Sequence, residues 1–136
     1  MLGGLWDAVV GDAPGVPVEF KSRESLWQRP VTDMMGDGTY GQPPGTWSDD
    51  TSMALCTVEA LISGFDTRRL ADLFLRWYQE NHWTPWGRMF DIGITTRVTL
   101  SNLASGVGPE QAGLAGSENN GNGSLMPGSM SQFLRS

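Results

Sequence analysis

One cysteine and one histidine are the only thiol and imidazole ligands in this 136-residue chain. A zinc site of His and Cys ligands needs more than that and is excluded. A disulfide within the chain is excluded as well. Cys56, inside an apolar helical pattern, reads as a small core residue in a reducing compartment. Positive charge is scarce: nine Lys and Arg stand against 15 Asp and Glu, for a net charge of −6. Bulk electrostatics therefore argue against nucleic acid and against an anionic membrane surface as partners. No apolar run approaches the ~20 residues of a transmembrane helix. Met1-Leu-Gly-Gly-Leu-Trp-Asp7 has no basic residue ahead of its apolar part, unlike a signal peptide. The expected location is cytoplasmic. No Gly-Lys-Ser/Thr follows a glycine-rich turn, so there is no P-loop. His82, between Asn81 and Trp83, reads as a loop histidine, and Cys56 carries no activating feature for a Cys-His pair.

What the chain has in quantity is glycine and proline, 18 and 8 residues, so much of it should be loop. The helical patterns are few and clear. Leu2, Leu5, Trp6 and Val9 predict a first helix to about Val10, broken by the segment Gly11 to Val18. Residues 21 to 48 read as irregular, a loop long enough to be functional. Asp50 to about Ser63 is a helix with Ala54, Val58, Leu61 and Ile62 as its apolar stripe. Asp66 to about Glu80 is another, with Leu70, Phe74, Trp77 and Tyr78. The short Gly64-Phe65 joint makes the two antiparallel neighbours. A third helix runs from about Ile92 to Ala104 with Thr96, Leu100, Leu103 and Ala104 on one face. No β alternation of useful length appears. The expected class is all-α, a compact orthogonal helical array with long loops, in one domain over residues 1–136.

The polar chemistry left is carboxylate: Asp12, Glu19, Asp49, Asp50 and Asp91. Each falls at a helix end or in a glycine-bounded turn, which is how helical proteins present ligands to a shared cleft. The densest stretch is Gly45-Thr-Trp-Ser-Asp-Asp-Thr51. Its hydroxyl and two adjacent carboxylates suit Mg²⁺, Mn²⁺ or Ca²⁺. The same residues also read as a plain helix start, with Ser-Asp-Asp-Thr as cap and first turn. Likewise Asp91 reads as an N-cap of the helix that follows, Glu19 as a solvated turn residue, and Asn119 to Gly123 as a linker. Trp47, Trp83 and Trp86 are candidates to stack on a base, although tryptophans are more often core.

Four segments together resemble the ADP-ribosylglycohydrolase family, which includes dinitrogenase reductase-activating glycohydrolase. Gly11-Asp-Ala-Pro-Gly-Val-Pro-Val-Glu-Phe20 is similar to its first signature and Gly45-Thr-Trp-Ser-Asp-Asp-Thr-Ser-Met-Ala54 to its second. Asp91-Ile-Gly-Ile-Thr-Thr96 is similar to its third and Gly121-Asn-Gly-Ser-Leu-Met126 to its fourth. The resemblance implies an all-α fold and a two-metal centre of Mg²⁺ or Mn²⁺. The implied reaction is hydrolysis of the bond from ADP-ribose to a protein side chain or related group. It implies Ser48, Asp49 and Asp50 as metal ligands, Glu19 and Asp91 as catalytic carboxylates, and ADP-ribose or an ADP-ribosylated protein as partner. Gly121, Asn122, Gly123, Ser124, Leu125 and Met126 would wrap the ADP-ribose. Backbone N–H groups at Gly121 and Gly123 can meet phosphate oxygens and offset the acidic charge.

The pattern departs from the family in one respect that bears on chemistry. Family members carry a further Asp-x-Asp-Thr element that completes the metal site, and this sequence has none. The expectation is an N-terminal portion of the fold with half a metal shell and doubtful activity. Apolar faces of the Asp50 and Asp66 helices would then stay partly exposed and invite self-association. Two further readings are a non-catalytic ADP-ribose or metal-binding module and a structural, crystallin-like remnant.

Overall fold

The computed structural model describes residues 2–113. Among the described residues six α-helices run in chain order: α1 Leu2–Gly15, α2 Arg23–Gln28, α3 Asp49–Ile62, α4 Thr67–Glu80, α5 Ile94–Ala104 and α6 Pro109–Ala112. A 3₁₀ turn, Val16–Val18, follows α1. No strand occurs among the described residues, only one isolated bridge between Asp37 and Gln42. The all-α expectation holds.

The core is built where α3, α4 and α5 meet. Met53, Cys56 and Ala60 of α3 pack with Leu70, Leu73, Phe74 and Trp77 of α4 and Leu100 of α5. Positions 70, 74 and 77 share one helical face, so α4 buries the stripe its sequence spells out. The Cys56 thiol meets the Leu73 carbonyl at 3.6 Å, which fits the antiparallel pairing across the Gly64-Phe65 joint. Burial, then the charge of Glu59, pushes that thiol up to about 12. Cys56 is therefore an inert core residue. Side-chain caps start both long helices: Ser48 accepts from the Asp50 N–H and Asp66 from the Arg68 N–H. Asn81, left-handed at φ 59°, ends α4 by donating its N–H to the Arg76 carbonyl.

Several expectations need correction. α1 does not stop at Val10 but runs through Gly11 to Gly15, with Pro14 inside it. In the last turn a proline forfeits only one intrahelical bond, and Gly11 merely weakens a helix that packing stabilises. Residues 21 to 48 contain α2, started by Ser22, whose hydroxyl accepts from the Ser25 N–H at 3.2 Å. α3 buries Ser52, Met53, Cys56 and Ala60, not the Ala54–Val58–Leu61–Ile62 stripe. Leu61 and Ile62 are 55% and 81% exposed. Part of the exposure expected for α3 is thus present, whereas α4 hides its stripe. Trp83 and Trp86 are exposed rather than core. Asp91 is not a cap, because Gly93 holds the N-cap position of α5.

Candidate active site

Four chain segments place carboxylates around the N-terminus of α3. Asp12 comes from the last turn of α1. Its Oδ2 accepts from the Ser48 N–H at 2.9 Å and from the Thr51 hydroxyl at 2.6 Å. It thereby ties α1 to the start of α3, where N–H groups are free and the dipole favours negative charge. Asp49 and Asp50 form the first turn of α3. Glu19 follows the 3₁₀ turn, and Asp91 lies two residues before the cap of α5.

Local backbone geometry sets these positions. Phe20, directly after Glu19, has φ 62°, and Asp91 itself has φ 48°. Non-glycine residues in the left-handed region carry strain that surrounding structure must hold. Around Glu19 the holding is explicit. The Thr39 N–H donates to the Pro17 carbonyl at 3.2 Å, and the Thr39 hydroxyl donates to the Glu19 carbonyl at 2.7 Å. Gly38, at φ 62°, makes that approach possible, since a Cβ there would overlap the Pro17 carbonyl. Gly38→Ala is expected to cost about 2–4 kcal/mol through clash and strain together. A Tm within 1 °C or so of wild type in a thermal melt would contradict the clasp between residues 17–19 and 38–39.

The loop after α4 is held as firmly. Glu59 Oε2 on α3 accepts from the Trp83 indole at 2.6 Å and pairs with His82 Nε2 at 2.8 Å. Those bonds hold the Glu59 carboxyl below its usual range, the His82 bond most. Asn81 Oδ1 accepts from the Met89 N–H at 2.9 Å, and the Trp86 indole donates to buried Thr46 at 2.6 Å. His82 is thus a structural loop residue, as its setting in the sequence implies. Trp47, Thr84, Pro85, Arg88, Met89 and Phe90 close over Ser48 and Asp49 in a crevice too tight for water, floored by Trp77.

The carboxylates are electrostatically uncompensated. Burial first, then the charges of Asp91 and Asp50, push the Asp49 carboxyl up to about 7, against pull from the N–H groups of Gly93 and Asp50. Burial, then Asp12 and Asp91, raise Asp50. Burial raises Glu19, with Asp91 and Asp50 adding to it and a Tyr40 hydrogen bond opposing it. The two salt bridges among the described residues, Arg76–Glu80 and His82–Glu59, lie elsewhere. Like charges gathered without a cation resist joint ionisation.

Of the sequence-derived residues, Ser48, Asp49 and Asp50 start α3, and Glu19 and Asp91 lie near enough for charge to act between them and Asp50. Gly121 to Met126 lie outside the described residues. Two participants were not assigned roles from sequence. One is Asp12, whose task is to bind the Ser48 N–H and Thr51. The other is Tyr40, whose ring packs against Phe90, the neighbour of Asp91, with centroids 5.4 Å apart, and the length of the 21–48 loop was the only signal for it. Asp12→Ala is expected to cost about 2 kcal/mol, because the buried Ser48 N–H loses its acceptor. Relief of repulsion on Asp50 offsets a little of that. Asp12→Asn, which keeps an acceptor, should recover at least half of the loss in a urea melt.

The donor chemistry fits a hard divalent cation, since carboxylates and a hydroxyl are the ligands Mg²⁺ and Mn²⁺ take. The number does not suffice. Among the described residues no three His, Cys, Asp or Glu side chains gather closely enough to hold one ion. Ser48 Oγ is also engaged by the Asp50 N–H at 3.2 Å.

An all-α scaffold with acidic side chains near the start of one helix defines a class of carboxylate-centred helical proteins. A family profile for ADP-ribosylglycohydrolase matches residues 1–133, and the chain belongs to that family. It is 42% identical over 122 residues to the ADP-ribosylarginine hydrolase Tri1 of Serratia proteamaculans, covering 83% of this chain and 32% of that protein. It is 39% identical over 109 residues to the protein of the same name from Pseudomonas putida, covering 78% of this chain and 29% of that one. A solved structure titled ADP-ribosylglycohydrolase-related protein complex superposes with a TM-score of 0.71 at 37% identity. The match takes in 93% of this chain and 39% of that one. The chain spans about a third of the length of the curated relatives it matches. No helix among the described residues is long and apolar enough to cross a membrane.

Proposed function

We propose that this chain carries the acidic part of the site of a hydrolase that releases ADP-ribose from a modified protein side chain, arginine first among them. One observation carries the reading: Glu19, Asp49, Asp50 and Asp91, remote in sequence, converge at the start of α3 in a chain of this family. The relatives named ADP-ribosylarginine hydrolase support the choice of arginine.

Ser48, Asp49 and Asp50 are the proposed contribution to a Mg²⁺ or Mn²⁺ site, to be completed by ligands beyond the described residues. Bound there, a divalent cation would supply a grip on ribose hydroxyls and a more acidic water. The chain's own carboxylates do the proton work. Hydrolysis breaks the bond from ribose C1 to the guanidino nitrogen, forms one from C1 to a water oxygen, and moves a proton onto the leaving nitrogen. The transition state carries positive charge on the ribose, and the surrounding carboxylates stabilise it. Glu19, whose carboxyl is pushed up by burial and by Asp91, is the proposed acid. Asp91, alongside, is the proposed base for the water.

The shortfall of metal ligands among the described residues favours one second reading, a module that binds ADP-ribose without turning it over. The test uses this chain and the same chain extended by the segment of the Serratia relative that it does not match. With Mg²⁺ or Mn²⁺, the extended protein should release ADP-ribose from an ADP-ribosylarginine protein, and Asp91→Asn should lower kcat about 10²-fold or more. Binding of ADP-ribose without release by either form selects the second reading. Neither binding nor release sinks both.

A further inference from the structure

Between the end of α4 and the cap of α5 the chain runs as an arm without helix, residues 81–92. Its far end carries Asp91, and its middle supplies Pro85, Arg88 and Met89 to the crevice over Ser48 and Asp49. Its root is strained. Asn81 and Trp83 both hold left-handed backbone, at φ 59° and 54°. Asparagine tolerates that region, whereas a bulky tryptophan is an outlier there and needs a tertiary contact to keep it. Glu59 of α3 makes that contact. One oxygen, Oε2, accepts from the Trp83 indole at 2.6 Å and meets His82 Nε2 at 2.8 Å. We infer that Glu59 is a positioning residue, whose carboxylate latches the root of this arm onto α3 and so sets where Asp91 and the crevice wall stand against Asp49.

Glu59 stands too far from the acidic cluster to act on it directly. A rise of about 1.5 Å per residue places it about 15 Å along α3 from Asp49. It acts through the arm instead. Both bonds fall on one charged oxygen, and charge-assisted bonds of this kind are the strong ones. The neighbours fix the proton on the histidine. Arg76, also paired with Glu80 at 3.4 Å, turns Nη2 to His82 Nδ1 at 3.5 Å. A guanidinium only donates, so Nδ1 accepts and the ring carries its proton on Nε2, toward Glu59. From the root the arm braces itself. Asn81 Oδ1 accepts from the Met89 N–H at 2.9 Å, which ties the root to the crevice wall. The Trp47 indole donates to the Trp83 carbonyl at 3.4 Å, which ties it to the residue before Ser48.

The inference rests on the proposed function only for its effect on turnover, and the latch can be tested without it. The chain has a single histidine, so in the isotopically labelled protein its ring nitrogens are read without ambiguity. In the neutral ring the proton is expected on Nε2. A proton on Nδ1 overturns the latch, because ionised Glu59 has none to give to Nε2. Hydrogen exchange then tests the reach of the latch. Glu59→Ala should speed exchange of the Trp83 indole and the Met89 amide at least ~10-fold and leave the core amide of Cys56 within ~2-fold. Exchange at Met89 that stays unchanged, or rises only in step with Cys56, overturns the inference. Glu59→Gln keeps a neutral acceptor at the same reach. It should show the same selectivity at smaller amplitude, and it decides the matter if Glu59→Ala does not fold. In the extended hydrolase, Glu59→Ala should lower kcat at least ~10-fold and keep KM within ~3-fold, with Glu59→Gln recovering most of the loss. An unchanged kcat removes the positioning role. A wild-type protein that neither binds nor releases ADP-ribose defeats the proposed function, while tautomer and exchange still decide on Glu59.

Discussion

Asp49→Asn is expected to make the cation-free protein more stable above neutral pH, although it removes a residue of the proposed site. The usual carboxyl value is 3.8, and in the fold burial and the neighbouring Asp91 and Asp50 charges move it to about 7. Between these values the folded chain holds a proton that the unfolded chain has released. The favourable contribution is complete below about pH 4 and is lost as pH rises through about 7. The gap corresponds to about 4 kcal/mol at full effect. Asp49 is only partly buried, and solvent screening brings the expected gain at pH 8 to about 2 kcal/mol. For a chain of this size that is on the order of 5–8 °C in Tm. Asparagine cannot ionise, so the variant should also flatten the fall in stability from pH 4 to 7. Thermal melts in chelator across that range measure both. A Tm that drops on substitution, with the pH slope unchanged, would show that the Asp49 charge is not a source of strain. The outcome would illustrate a trade of stability for function at a ligand-gathering site.

Trp77→Ala carries the largest expected loss. Trp77 is 1% exposed, at the centre of the core, and it floors the crevice beneath Ser48 and Asp49. Truncating a buried tryptophan costs about 3–5 kcal/mol in transfer and cavity terms. A typical domain has only about 5–15 kcal/mol in total, so the variant should be largely unfolded at 37 °C. Trp77→Phe keeps most of the volume and should lose about 1–2 kcal/mol. Comparing the two in urea separates cavity formation from aromatic contact. If Trp77→Ala folds with a midpoint near wild type, the α3–α4–α5 core does not support the site as described.

Much of the site was legible because its residues carry their own local signals. Ser-Asp-Asp-Thr before an apolar run marks a helix start whether or not it also binds a ligand, and the structure starts α3 there with Ser48 as its cap. α4 was legible because Leu70, Phe74 and Trp77 repeat at the helical period and Asp66 caps them. α3 was misread in phase. Its inward residues are small or weakly apolar, Ser52, Cys56 and Ala60, while the more apolar Leu61 and Ile62 point outward. Hydrophobicity alone selects the wrong face wherever close helix packing demands small residues. Asp12 was visible as a carboxylate but not as the acceptor for Ser48 and Thr51, because a contact spanning 36 residues leaves no periodic trace. Tyr40 was missed for the same reason. It sits in a loop without regular structure, and its contact with Phe90 depends on a second loop arriving beside it.

Relaxation by Mn²⁺ tests the central idea most directly. Substoichiometric Mn²⁺ added to the isotopically labelled protein should broaden the amide signals of residues 48–50 first, with those of Glu19 and Asp91 close behind. The Glu59–His82 pair, a carboxylate site already partnered, should stay sharp. Broadening that begins at Glu80 or Glu110, or that spares residues 48–50 altogether, would contradict a cation site at the head of α3.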